Sequence, residues 1–223
     1  MMKLIVPEYI YISGQVNELD IEKTADFFEN TDSFERIDML NWPDLFPYKP
    51  DCRFKMAYTL DSLLIHFEVE EKIIKAVYDT DQEPVWQDSC VEFFCQLPGE
   101  KNYFNFEFNC IGTCLATNRV SREENVVPLS QDQLNQIKRY ASLGNIPFDE
   151  KTGYFEWKLT VEIPFKLLGI TNNNIPEKIK GNFYKCGDGT SMPHYLSWTS
   201  IPTEKPDFHR PEYFGEIILK REN

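Results

Sequence analysis

Tyr103-Phe104-Asn105-Phe106-Glu107-Phe108-Asn109-Cys110 changes character at every residue. Phe104, Phe106, Phe108 and Cys110 fall on one side of an extended chain; Tyr103, Asn105, Glu107 and Asn109 fall on the other. A period of two marks a strand with one face against a core. Tyr154 to Ile163 repeats the pattern, with Phe155, Trp157, Leu159, Val161 and Ile163 opposing Tyr154, Glu156, Lys158, Thr160 and Glu162. Leu64 to Glu70 does so again, with Ile65, Phe67 and Val69 on the apolar side. Strands with one polar face belong to antiparallel sheets that pack on one side only.

Working outward, further strands are expected at Phe54–Leu60, Ile73–Tyr78, Asp88–Leu97, Thr113–Arg119, Gly181–Cys186, Tyr195–Thr199 and Phe214–Lys220. Helical punctuation is sparse. Asp20 precedes a face made of Ile21, Thr24, Ala25 and Phe28, Ser130 with Gln133 spells a capping box, and Pro164 opens a turn through Leu168. Many strands joined by Asn, Gly and Pro turns predict an all-β fold, an antiparallel two-sheet β-sandwich with a few short helices. No repeat or Gly/Ser linker divides the 223 residues, so one domain over 1–223 is expected, with residues 1–50 an extension packed on it.

A formal net charge of −13 and a pI near 4.7 oppose a nucleic-acid partner, because phosphate binding needs clustered Lys and Arg. No apolar run approaches the roughly 20 residues of a spanning helix, so membrane insertion is not expected. The start, Met1-Met2-Lys3-Leu4-Ile5-Val6-Pro7-Glu8, lacks a sustained apolar segment before a small-residue cleavage site. That predicts a cytoplasmic chain, or an extracytoplasmic one if a leader was trimmed. The six cysteines follow no Cys-x-x-Cys spacing, and Cys90, Cys95, Cys110 and Cys114 fall in or beside strands as small buried apolar residues.

Two stretches carry the candidate chemistry: Trp86-Gln87-Asp88-Ser89-Cys90-Val91-Glu92-Phe93-Phe94 and Phe208-His209-Arg210-Pro211-Glu212-Tyr213-Phe214-Gly215. Each sets an aromatic ring in a polar turn ahead of a strand. Alternation puts Val91, Phe93, Cys95 and Leu97 on the core face, and Asp88, Cys90, Glu92, Phe94 and Gln96 on the other. A hairpin neighbour over Tyr103–Cys110 extends that face with Asn105, Glu107 and Asn109. Carboxylates and amides beside an aromatic suit a polyhydroxylated ligand, whose hydroxyls both donate and accept. Arg210 is placed to pair with Glu92 or Glu107.

These runs, with Tyr154–Pro164, Leu196–Thr199 and Phe208–Leu219, resemble carbohydrate-binding module family 9 and its DOMON-like relatives, from about Phe54 to Leu219. The resemblance implies a non-catalytic jelly-roll sandwich that clamps a mono- or oligosaccharide between two aromatic rings. It implies Trp86 as the first ring, Glu92 as the carboxylate accepting hydroxyl hydrogen bonds and Phe208 as the second ring, where the family carries Trp. The family's central-strand Arg falls on Glu107 and a Gln falls on Lys185, although alternation sets Lys185 beside Phe183 on the core side. Cys90 lengthens the family's Asp-Ser-Val-Glu by one residue.

Other readings stay open. Glu92 and Glu107 on adjacent strands can reach the spacing of a glycoside hydrolase, about 5 to 9.5 Å. A protein-interaction module of the same fold is a further alternative, with a protein partner and no sugar. Haem is not expected, since Met56 reads as core and His66 as its only nearby companion. No His-x-His or His-Glu-x-x-His spacing points to a catalytic metal. Asp79, Asp81 and Glu83 alternate as calcium ligands do but lack an EF-hand pattern, so no cofactor is expected, structural calcium being possible without a clear motif.

Overall fold

The computed structural model describes residues 1–7, 20–31 and 33–220. The strands in chain order are β1 (Lys3–Pro7), β2 (Glu35–Arg36), β3 (Met39–Leu40), β4 (Asp51–Tyr58), β5 (Ser62–Ala76), β6 (Cys90–Gln96) and β7 (Tyr103–Asn109). They continue with β8 (Cys114–Arg119), β9 (Val127–Pro128), β10 (Lys138–Ala141), β11 (Phe148–Pro164), β12 (Lys178–Cys186), β13 (Tyr195–Ser197) and β14 (Gly215–Lys220). Two helices, α1 (Ile21–Glu29) and α2 (Gln131–Leu134), start where the caps predict: Asp20 accepts from the Glu22 N–H, and Ser130 and Gln133 close a capping box.

One sheet runs β1-β14-β12-β6-β7-β8-β9, with β13 bridging β12 to β3; the other runs β10-β11-β5-β4-β2. All pairings are antiparallel except β1 with β14. The sandwich core forms where the inward faces meet. Phe183 of β12 stacks on Phe54 of the opposite sheet, ring centroids 3.7 Å apart, and on Phe93 of its own, 4.8 Å apart. The odd residues of β6 and the even residues of β7 point inward, as alternation predicts.

Two predicted strands, Leu64–Glu70 and Ile73–Tyr78, are one 15-residue strand, β5, and β11 begins at Phe148 rather than Tyr154. The polar face of β5 is also drier than expected. Helix α1 lies on it: Phe28 packs with Ala57 and Leu64, and its ring lies 5.7 Å from His66, which is fully buried. Lys55 reaches up from β4 to donate to the Phe28 and Thr31 carbonyls at the helix end. Met56 faces the core while His66 lies under α1, so the two do not meet in one pocket. Within the first 50 residues, read from the sequence as a packed extension, β1 and β3 join one sheet and β2 the other. Residues 8–19 and 32 of that segment lie outside the described residues.

Candidate functional site

The outward face of β6, β7, β8 and β12 carries a second aromatic cluster, distinct from the core. Trp42, Phe94, Tyr103, Tyr184, Phe208 and Phe214 form its buried part, with Trp86 and Tyr195 packed against it. Beside this cluster opens a cavity of about 440 Å³. Glu92 and Glu107 lie at its floor; Trp86, Asp188, Tyr195, Phe208 and His209 stand around it with Arg119 and Arg122.

Glu92 and Glu107 sit directly opposite each other on β6 and β7. Trp198 N–H donates to Phe183 O and Leu219 N–H to Glu177 O, so odd residues of β12 turn their backbone groups away from β6. Even residues then bond to β6, which makes Glu92 and Glu107 a pair with no backbone hydrogen bonds between them. Such pairs are the closer ones, with Cα atoms about 4.5 Å apart. Both side chains are buried, at 3% and 4% exposure. Glu92 Oε1 accepts from Cys186 Sγ at 3.1 Å. Glu107 Oε1 accepts from Asn105 Nδ2 at 2.7 Å. Asn105 Oδ1 in turn accepts from Thr117 Oγ1, and Thr117 Oγ1 from Arg119 Nε at 2.7 Å. The remaining oxygens, Oε2 of Glu92 and Oε2 of Glu107, have no partner among the described residues.

Burial pushes both carboxyls above the usual range, and the Glu107 charge adds to the effect on Glu92. Asp188 rises to about 6, again by burial, against a hydrogen bond from Tyr195 that favours its charge. His209 falls to about 3 through burial and then the nearby Arg119 and Arg122, so its ring is neutral; its Nδ1 lies 2.8 Å from Tyr103 Oη. Arg122 pairs with Asp207 at 2.9 Å across the mouth.

Trp86 stands half-buried on a 3-10 turn, Val85–Gln87, that is pinned from two sides. Asp188 N–H donates to Trp86 O at 3.0 Å and Gly189 N–H to Gln87 O at 3.1 Å. A Cβ on Gly189 would stand 2.8 Å from Gln87 O, so only glycine allows the approach. Behind the turn, buried Asp88 accepts from Tyr78 N–H and Asn109 Nδ2, both at 3.0 Å. Phe208 reaches the cavity differently. Its ring lies flat on Tyr184 at 4.2 Å, and only 7% of the residue is exposed.

Trp86, Glu92, Glu107 and Phe208 thus come together; two expected residues do not. Lys185 lies on the core face of β12, as alternation required, fully buried with Nζ 3.1 Å from Glu71 Oε2 and 2.8 Å from His194 Nε2. Burial opposes its charge, but Glu71 holds its pKa above the usual lysine value. Arg210 pairs with Glu212 two residues on, at 2.6 Å, instead of with Glu92 or Glu107. The pair satisfies itself locally at the surface, and neither residue lines the cavity. Asp81, from the acidic run, forms a bidentate pair with Arg139 at 2.6 and 2.7 Å.

Arg119, Arg122, Asp188 and Tyr195 escaped the sequence reading. Arg119 ends a strand face that alternation could have continued; the others sit on loops or a three-residue strand, where no period exists. The guanidinium groups of this cavity come from β8 and the loop after it, not from the central strand where Glu107 stands.

The family model for carbohydrate-binding family 9 matches residues 4–219. The chain belongs to carbohydrate-binding family 9. A Bacteroides uniformis crystal structure, provisionally described as a carbohydrate-binding protein, is 35% identical, with a TM-score of 0.89 and coverage of 98% of this chain and 99% of that one. A family 9 module from Caldicellulosiruptor kristjanssonii with glucose is 16% identical, TM-score 0.56, covering 100% and 97%. A family 9 module from the same organism in complex with cellotriose gives 14% identity, TM-score 0.52, covering 100% and 95%. These last two establish likeness of fold only. No curated protein matches the chain. Among the described residues, no helix is long and apolar enough to cross a membrane.

Proposed function

We propose that this family 9 chain binds a mono- or oligosaccharide in the cavity between Trp86 and Phe208, without altering it. The observation that carries the reading is the pair of unpartnered carboxyl oxygens, Glu92 Oε2 and Glu107 Oε2, beneath a half-buried tryptophan. A buried acceptor without a partner costs about 1–3 kcal/mol, and a ligand hydroxyl removes that cost. Burial favours the protonated carboxyls, which both accept and donate, and so match a sugar hydroxyl in either sense. Trp86 supplies the larger stacking face; Phe208, stacked on Tyr184, adds a second ring to the lining. Glucose and cellotriose, bound by the Caldicellulosiruptor modules, are the first ligands to try.

Catalysis is the weaker reading. Glycosidases place their two carboxyl groups on either side of the scissile bond. Glu92 and Glu107 rise side by side from one sheet face and meet a ligand from the same side.

Calorimetric titration of a sugar panel tests the proposal. Trp86→Ala weakens binding about tenfold, as expected for lost aromatic contact of roughly 1 kcal/mol beyond area, and Glu92→Leu weakens it further. Wild-type affinity in both variants for every bound sugar sinks the clamp. Turnover of an aryl glycoside, lost in Glu92→Gln, sinks the non-catalytic reading.

A further inference from the structure

Cys90 is the residue that lengthens the Asp-Ser-Val-Glu pattern, and sugar binding has no use for it. Directly opposite it, in register on β12, stands Cys186. Both thiols are on the outward face, and Glu92, two residues along β6, shares that face. One donor atom from each of Cys90, Glu92 and Cys186 lies within 4.8 Å of the others, and all three residues are buried. Cys186 Sγ is already 3.1 Å from Glu92 Oε1, while Glu92 Oε2 has no partner among the described residues.

We propose that Cys90, Cys186 and Glu92 form a site for a thiophilic divalent cation of the zinc type, at the floor of the cavity. Zn–S bonds of about 2.3 Å and Zn–O bonds of about 2.0–2.2 Å set tetrahedral donors roughly 3.5–3.8 Å apart. The three donors reach that spacing by side-chain rotation. Two thiolates select zinc-like ions over calcium or magnesium, which require oxygen donors. Glu92 lines the cavity and the two cysteines, at 0% and 1% exposure, do not, so the ion's entry path runs past the Glu92 carboxyl. On binding, the two thiols release their protons to solvent and Glu92 binds as its carboxylate.

A disulfide is the rival use of two facing cysteines. Even residues of β12 exchange backbone hydrogen bonds with β6, so Cys90 and Cys186 form the wider kind of pair, Cα atoms about 5.5 Å apart, a separation that a disulfide also allows. Both thiols are free in this structure, and oxidation state and peptide mapping separate the two uses.

The test uses the full chain, reduced and stripped of metal, and titrates it with cobalt(II). One equivalent is expected to bind, with the d–d bands of a tetrahedral site and a near-ultraviolet charge-transfer band of two-thiolate intensity. Zinc(II) displaces it. Cys90→Ser and Cys186→Ser each halve the charge-transfer band and weaken zinc binding by more than the about 10–100-fold typical of losing an outer-shell partner. Cys95→Ala, on the core face, leaves both unchanged. The proposal fails if the reduced wild-type protein takes up no stoichiometric cobalt, or if the band survives both serine variants. It also fails if protein purified without reductant is lighter by two hydrogens and peptide mapping links Cys90 to Cys186. No arm uses a sugar, so the result is independent of carbohydrate binding.

Discussion

Trp86 and Phe208 line one cavity but are held there by opposite means, and that separates what each contributes. Phe208 is pressed on Tyr184, edge-on to Tyr195 and tilted against Trp42, so it is part of a packed cluster before any ligand arrives. Trp86 rests on a hydrogen-bonded turn, half-buried, packed against the edge of the same cluster. Phe208→Ala is therefore expected to cost about 3–5 kcal/mol of stability, the usual range for a buried phenylalanine, and to weaken sugar binding as a consequence. Trp86→Ala is expected to cost less stability than Phe208→Ala while losing affinity directly, since Trp86 is only half-buried. Urea unfolding beside calorimetry separates the two; equal loss of stability in both variants contradicts this division.

At the scale of the element, the cavity depends on a loop meeting a turn. The segment after β12 donates from Asp188 and Gly189 to the carbonyls of the Trp86 turn, and Gly189 has no room for a Cβ. Gly189→Ala is expected to displace the turn and reduce sugar affinity about tenfold, a cost of about 1.4 kcal/mol, with the far-ultraviolet circular dichroism of the sheets unchanged. Unaltered affinity places the ligand elsewhere. The same contrast explains what was legible beforehand. Glu92, Glu107 and Lys185 were assigned their faces by a period of two, and where the resemblance and the period disagreed, at Lys185, the period prevailed because Phe183 and Val91 keep that face in the core. Asp188 and Arg122 lie on loops whose path depends on partners far along the chain, such as Trp86 and Asp207, and nothing local in the sequence encodes that. The covering of β5 by α1 was hidden for the same reason: Ala25 and Phe28 announced an amphipathic helix but not the sheet it would cover.

For the whole molecule, the buried groups set a proton balance with two opposing halves. Glu92, Glu107 and Asp188 have folded pKa values above their ordinary ones, about 7 for Glu107 and about 6 for Asp188. In the unfolded chain they release protons near 4.5 and 3.8, so the stability they contribute is fully present below those values and is lost as pH rises through the folded pKa values. His194 and His209 are held neutral, the latter to about 3 against an ordinary 6.5, so they remove stability as pH falls below 6.5. Between about pH 4.5 and 6.5 the two histidines offset two of the three carboxyls. Thermal unfolding in chelator is therefore expected to decline gently there and more steeply toward neutral pH, where the histidines no longer titrate and the carboxyls do. Variants expose the hidden slopes. Each uncompensated proton tilts stability by about 1.4 kcal/mol per pH unit. Glu107→Gln is expected to gain on wild type as pH rises from 4.5 to 7, and His209→Gln to gain on wild type as pH falls from 6.5 to 4.5. Parallel pH profiles for both variants and wild type would show that these groups are not buried in the charge states assigned to them.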